Sequence, residues 1–168
     1  MIYLLLGTDM GDREANLSRA RELLAEQLGK ARLVEQKGER QAEQNRERRG
    51  ECGDGTVVLK CSEAMETEAI GFEGPAFLNQ VVAFDGDFEP YELLRRCQAV
   101  EIAMGRPAHR ARYNADGRRI YAPRIIDIDI LHLNGVLMDE PELTIPHPQV
   151  FSRLFVQTLM QLVHKKTD

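Results

Sequence analysis

The chain has 168 residues, 43% of them apolar and 29% charged, with a net charge of −5. That length suits one domain with a core of its own, and the acidic balance argues against nucleic acid as the main partner. No apolar run nears the roughly 20 residues of a transmembrane helix, and the short apolar opening from Ile2 lacks the basic lead of a signal peptide, so no membrane partner and a cytoplasmic location are expected.

In chain order, residues 2–6 read as a buried strand that turns at Gly7. Asp12 can cap a helix reaching about Lys30, with Leu17, Ala20, Leu24 and Leu28 on its packed face. Residues 31–36 form a candidate second strand. Residues 37–55 are rich in Glu, Arg, Gln and Gly, cannot build a core, and read as a polar insertion in a single domain spanning 1–168. A strand from Val57 toward Met65 follows, then one over 77–84. Pro90 opens a helix whose buried stripe is Leu93, Leu94, Cys97, Val100 and Met104, and Gly105 ends it. Residues 106–124 carry no hydrophobic period and read as a long loop. Residues 125–133 are the clearest strand, and Asn134-Gly135 predicts a tight turn into a returning strand at 136–138. A last helix is expected over about 151–164. The order predicts an α+β, ferredoxin-like fold: a mainly antiparallel sheet with helices packed on one face. Cys52, Cys61 and Cys97 form no C-x-x-C pair and read as thiols of a reducing compartment.

The chemistry concentrates in Arg124-Ile125-Ile126-Asp127-Ile128-Asp129-Ile130-Leu131. Side chains alternate along a strand, so Ile126, Ile128 and Ile130 share one face and Asp127 and Asp129 the other. Two like charges about 7 Å apart on an apolar strand repel and lose hydration. A divalent cation relieves both costs, and magnesium favours carboxylate, water and phosphate oxygens. A solvated face with two inert aspartates is the alternative. The preceding loop carries Arg106, His109, Arg110, Arg112, Arg118, Arg119 and Arg124 against one acid, Asp116. Arginine binds phosphate oxygens bidentately, so the loop suits a triphosphate clamp; a solvated loop and RNA binding remain as alternatives, the latter with only Tyr113 and Tyr121 for stacking.

Other residues are open on local grounds. His147 lies between Pro146 and Pro148. Asn79 could read a heterocycle edge or simply end a turn. Gln98 and Glu101 are helix neighbours that flank the apolar stripe. Gly7-Thr8-Asp9 lacks the lysine and spacing of a Walker A loop.

Together these segments resemble the hydroxymethyl-dihydropterin pyrophosphokinase family of the folate pathway. The resemblance runs from Gly7-Thr8-Asp9-Met10 through Phe77-Leu78-Asn79 to Pro146-His147 and Arg153-Leu154-Phe155. Its most specific stretch is Ala122-Pro123-Arg124-Ile125-Ile126-Asp127-Ile128-Asp129-Ile130-Leu131. The resemblance implies pyrophosphate transfer from ATP to a reduced pterin, with two magnesium ions on Asp127 and Asp129. It implies that Asn79 reads the pterin and that Phe77 and Phe155 stack on it. Arg106, Arg124 and Asp129 would be catalytic, and Gln98, Glu101, Ile130, His147 and Arg153 would contact ATP. Association with other folate enzymes is left open. Thr8-Asp9 stands where the family usually has Ser-Asn, and Ile120 where it usually has a basic residue. These departures make a non-catalytic pterin- or nucleotide-binding member the second hypothesis.

Overall fold

A computed structural model describes residues 1–29, 31–34, 56–69, 74–106, 112–113, 115–117, 119–120 and 124–164, with the backbone alone at 31–34, 112–113, 119–120 and 164. The insertion at 37–55 and the residues His109, Arg110, Arg118 and Tyr121 lie outside the described residues. The elements are β1 (Ile2–Thr8), α1 (Arg13–Gln27), β2 (Ala31–Val34), β3 (Val57–Cys61), β4 (Met65–Thr67), β5 (Phe77–Phe84), α2 (Pro90–Ala103), β6 (Arg112–Tyr113), β7 (Arg119–Ile120), β8 (Asp127–Leu133), β9 (Met138–Asp139), β10 (Thr144–Ile145), α3 (Gln149–Ser152) and α4 (Leu154–His164).

The main sheet runs β2-β3-β5-β1-β8, with β4 also on β5. All its described pairings are antiparallel except β2 with β3. The α+β, ferredoxin-like expectation therefore holds. β1 is central and buried along its whole length. Alternation sends Ile2, Leu4 and Leu6 to one face and Tyr3 and Leu5 to the other.

α1 and α2 cover the first face. Leu17, Ala20, Leu23, Leu24 and Leu28 of the first helical segment, and Leu93, Cys97 and Val100 of α2, join the same core as Ile126, Ile128 and Ile130. The caps follow the local sequence. Asp12 Oδ1 accepts the Ala15 N–H at 3.0 Å, Glu89 accepts the Glu92 N–H ahead of Pro90, and Gly105 leaves α2 at φ +93°.

Four expectations change. The helices do not all share one face: Val156, Leu159 and Val163 of α4 pack on Tyr3, Leu5, Val81, Ala83 and Leu131, on the opposite side. The last helix is two, because Arg153 is extended at φ −122° and ψ 111° between α3 and α4. The strand from Val57 breaks after Cys61, where Ser62 turns its hydroxyl to accept the Val81 N–H. Asn134 and Gly135 do make the tight turn, at φ 44° and 76°. The chain beyond it pairs as β9 with β10, not with β8. The outer edge of β8 is instead engaged by His147, whose N–H donates to the Leu131 carbonyl at 2.9 Å. Among the described residues of 106–124, β6 pairs with β7.

Among the described residues no helix is long and apolar enough to cross a membrane. The two helix layers make distinct stability predictions. Leu159→Ala, at a fully buried position on α4, should lower the unfolding free energy by about 2–5 kcal/mol in denaturant titration. Leu154→Ala, at a position 77% exposed on the same helix, should change it by less than about 0.5 kcal/mol.

Candidate active site

The register of β1 draws the site together. Gly7 pairs with Asn79 on one side and with Asp127 on the other, and Leu5 pairs with Asp129. Paired residues share a sheet face, so Asn79, Asp127 and Asp129 all stand on the α4 side. β8 is the outer strand, and the isoleucines of its other face are buried against α1 and α2. The predicted alternation of Asp and Ile is therefore observed. A bulge at Leu131, between the pairs Leu4–Ile130 and Tyr3–His132, follows directly after it.

Asp127 is held by two arginines. Arg106 Nη1 donates to its Oδ1 at 2.6 Å, and Arg124 Nη1 to its Oδ2 at 2.9 Å. Arg106 also pairs with the buried Glu101 carboxylate. The same Glu101 oxygen accepts the Ile128 N–H at 2.8 Å, between the two aspartates. Glu101 thus reaches round the edge of β8 from the α2 side. Burial pushes its carboxyl up to about 7, against the opposing pull of the Ile128 N–H and Arg106.

Among the described residues, the basic group paired with Asp129 is His147, whose Nε2 lies 4.0 Å from Oδ1. Burial first, and the charge of Asp127 second, push the Asp129 carboxyl up to about 7. His147 Nδ1 accepts the Gln149 N–H at 3.2 Å, which leaves the ring proton on Nε2, facing Asp129. Burial first, and Arg153 second, lower the His147 pKa against the opposing pull of Asp127, which favours the neutral ring. Among the described residues no three His, Cys, Asp or Glu side chains converge as a closed metal cage. Two carboxylates on one face, one of them under strong electrostatic penalty, fit magnesium, which keeps most of its coordination sphere for water and phosphate.

Asn79 is buried, and its amide donates to Thr67 Oγ1 at 2.8 Å. Phe77 lies two residues earlier on the same face of β5, and Phe155 packs against the α4-side cluster. A Cβ at Gly7 would lie 3.3 Å from Asn79 Oδ1 and 3.8 Å from Phe77 Cδ1, so glycine keeps the floor between Asn79 and Asp127 open. Arg153 stands at the α3–α4 break and acts electrostatically on both His147 and Asp129. Gln98 is half-buried on α2. The Ile130 side chain is an exception: it is 3% exposed in the core on the opposite face of β8, so any ligand contact from it runs through backbone.

Sequence reasoning gave Thr67 no role, and read Gly7 and Asp9 only as a weak phosphate loop and part of the family segment. Gly7 and Thr67 matter only through strand register, which no local pattern encodes. Asp9 is buried, and its Oδ1 accepts the Arg124 N–H at 2.8 Å. An asparagine Oδ1 could accept the same bond.

The raised Asp129 pKa carries a signed prediction. Without metal, the folded protein keeps a proton that the unfolded chain releases near pH 4, so this residue's share of stability falls as pH rises from about 4 to 7. In chelator, the stability of Asp129→Asn relative to the parent should therefore grow through that window and level off above it, read by denaturant titration at several pH values. A pH-independent difference would refute the shift.

Residues 3–165 match the family model of 7,8-dihydro-6-hydroxymethylpterin-pyrophosphokinase. A Porphyromonas gingivalis protein named 2-amino-4-hydroxy-6-hydroxymethyldihydropteridine pyrophosphokinase is 34% identical over 159 residues, covering 94% of this chain and 86% of that protein. A Bacillus subtilis protein of the same name is 30% identical over 156 residues, covering 92% and 72%. A mitochondrial folate synthesis bifunctional protein of Pisum sativum is 28% identical over 169 residues, covering 99% of this chain and 26% of that protein. The chain belongs to the 7,8-dihydro-6-hydroxymethylpterin-pyrophosphokinase family.

Proposed function

We propose that this enzyme transfers pyrophosphate from ATP to the hydroxymethyl group of 6-hydroxymethyl-7,8-dihydropterin, giving the pterin diphosphate and AMP for folate biosynthesis. The observation that carries this reading is the pair Asp127 and Asp129 on one face of β8, with Arg106 and Arg124 within 2.6 and 2.9 Å of Asp127. The Porphyromonas gingivalis and Bacillus subtilis relatives are named for the same pyrophosphokinase reaction, which supports this reading.

Asp127 and Asp129 would hold two magnesium ions. Each carboxylate oxygen of Asp127 has a second lone pair beyond the one its arginine uses, so cation and guanidinium need not exclude one another. The bound ions would neutralise phosphate charge and draw the pterin hydroxyl toward the phosphorus. The protein's own contribution is positioning and charge. Arg106 and Arg124 present N–H donors to oxygens that gain charge as the bond to AMP breaks. The hydroxyl proton would leave to solvent or to the Asp129 carboxylate. Gln98, Glu101, the Ile130 backbone, His147 and Arg153 border the nucleotide subsite. Asn79 Oδ1 faces the open floor above Gly7, where it can accept an N–H from a pterin edge, with Phe77 and Phe155 as stacking surfaces.

We place the enzyme in the cytoplasm, in keeping with the buried thiols Cys61 and Cys97. Association with other folate enzymes accords with the bifunctional name of the pea relative.

Two outcomes test the assignment. Asp127→Asn and Asp129→Asn should each reduce turnover at least about 100-fold and raise the magnesium concentration needed for half-maximal rate. Normal turnover of either variant at limiting magnesium would remove the metal assignment. Gly7→Ala should raise the pterin KM several-fold, with a smaller effect on the KM for ATP, because the new methyl crowds Asn79 Oδ1. Equal effects on both substrates would place the pterin elsewhere.

A further inference from the structure

Two carboxylates outside the proposed metal pair are buried more deeply than either member of it: Asp9 and Glu101, each 4% exposed. Each grips one of the two site arginines at two points. Asp9 Oδ1 accepts the Arg124 N–H at 2.8 Å, and the Asp9 N–H donates to the Arg124 carbonyl at 3.4 Å. This fastens the residue three before Asp127 to the end of β1, and from there Nη1 reaches Asp127 Oδ2. On the other side, the Arg106 N–H donates to the Glu101 carbonyl at 3.0 Å while the two side chains pair. The same carboxylate holds the Ile128 N–H, fixing the backbone between the aspartates.

Buried carboxylates are costly unless each oxygen is satisfied. Here their partners among the described residues include parts of Arg124, Arg106 and β8, and the two arms converge on Asp127. We infer that Asp9 and Glu101 are positioning residues, which hold Arg124 and Arg106 at Asp127 before phosphate arrives. Neither need touch the reacting atoms. The inference rests on the pyrophosphokinase reading and adds to it the origin of the arginine geometry. It also gives Asp9 a defined task at a position where the family usually has asparagine.

The test is a pair of double-mutant cycles, Asp9 with Arg124 and Glu101 with Arg106, read by steady-state kinetics and by amide hydrogen exchange of the metal-free protein. Asp9→Ala should lower kcat about 10- to 100-fold, the scale of a small misplacement of a catalytic group, with the pterin KM nearly unchanged. In an Arg124→Ala background the same change should cost no more than about twofold. Asp9→Asn keeps the acceptor and should restore most of kcat. Exchange of the Arg124 amide should speed up in Asp9→Ala, and that of the Ile128 amide in Glu101→Ala, each without metal or substrate. Should Asp9→Ala not fold, Asp9→Leu fills the space without an acceptor and replaces it. If Asp9→Ala keeps full kcat while Arg124→Ala loses it, the positioning role is wrong and the pyrophosphokinase reading stands. An effect of Asp9→Ala that persists in the Arg124→Ala background also overturns it. If Arg124→Ala and Asp127→Asn both turn over normally, the reading beneath it fails instead.

Discussion

Two carboxylates stand two residues apart on a strand whose other face is buried isoleucine, and their repulsion must be balanced in every state of the folded chain. The balance is uneven. Asp127 has a guanidinium on each oxygen, whereas among the described residues Asp129 faces His147 at 4.0 Å and has its pKa raised to about 7. Among the described residues Asp127 is thus the better compensated of the two, and that asymmetry is what the proposed magnesium binding at Asp129 would relieve.

The remaining architecture serves to keep that pair in place. β1 is the spine: its register sets Asn79 and Asp127 on either side of Gly7, so the proposed pterin reader and metal ligand lie one strand apart from each other's neighbour. α2 contributes from behind, sending Glu101 round the edge of β8 to hold Arg106 and the Ile128 N–H. The chain after β10 closes the outer edge through His147. α4 seals the site side of the sheet with Val156, Leu159 and Val163, which share a cluster with Leu5, the cross-strand neighbour of Asp129.

Features set by local period or turn chemistry were legible in the residues. The Asp–Ile alternation assigned the two faces of β8. The stripe of Leu93, Cys97 and Val100 located α2, and Gly105 marked its end. The Asn134-Gly135 turn was legible, but the partner of the strand beyond it was not, because the competing hydrogen bond comes from His147, many residues later. The break at Arg153 escaped notice because the apolar period runs through it, and the backbone alone departs. α4 was expected on the wrong face, since an amphipathic stripe says that a helix is covered but not by which side of a sheet. Glu101 was open between a site-edge residue and a solvated one, with nucleotide contact implied by the resemblance; its burial was not legible, because its partners, Arg106 and Ile128, become neighbours only when α2 lies against β8. For Ile130, the family resemblance pointed to nucleotide contact, and the alternation rule already placed its side chain on the far face.

The most direct test of the account is the product mixture formed from ATP and 6-hydroxymethyl-7,8-dihydropterin, separated by chromatography with magnesium and with chelator. The account predicts AMP and pterin diphosphate in equal amounts with magnesium, and neither in chelator. ADP with a pterin monophosphate, or binding of both substrates with no AMP at saturating magnesium, would contradict it.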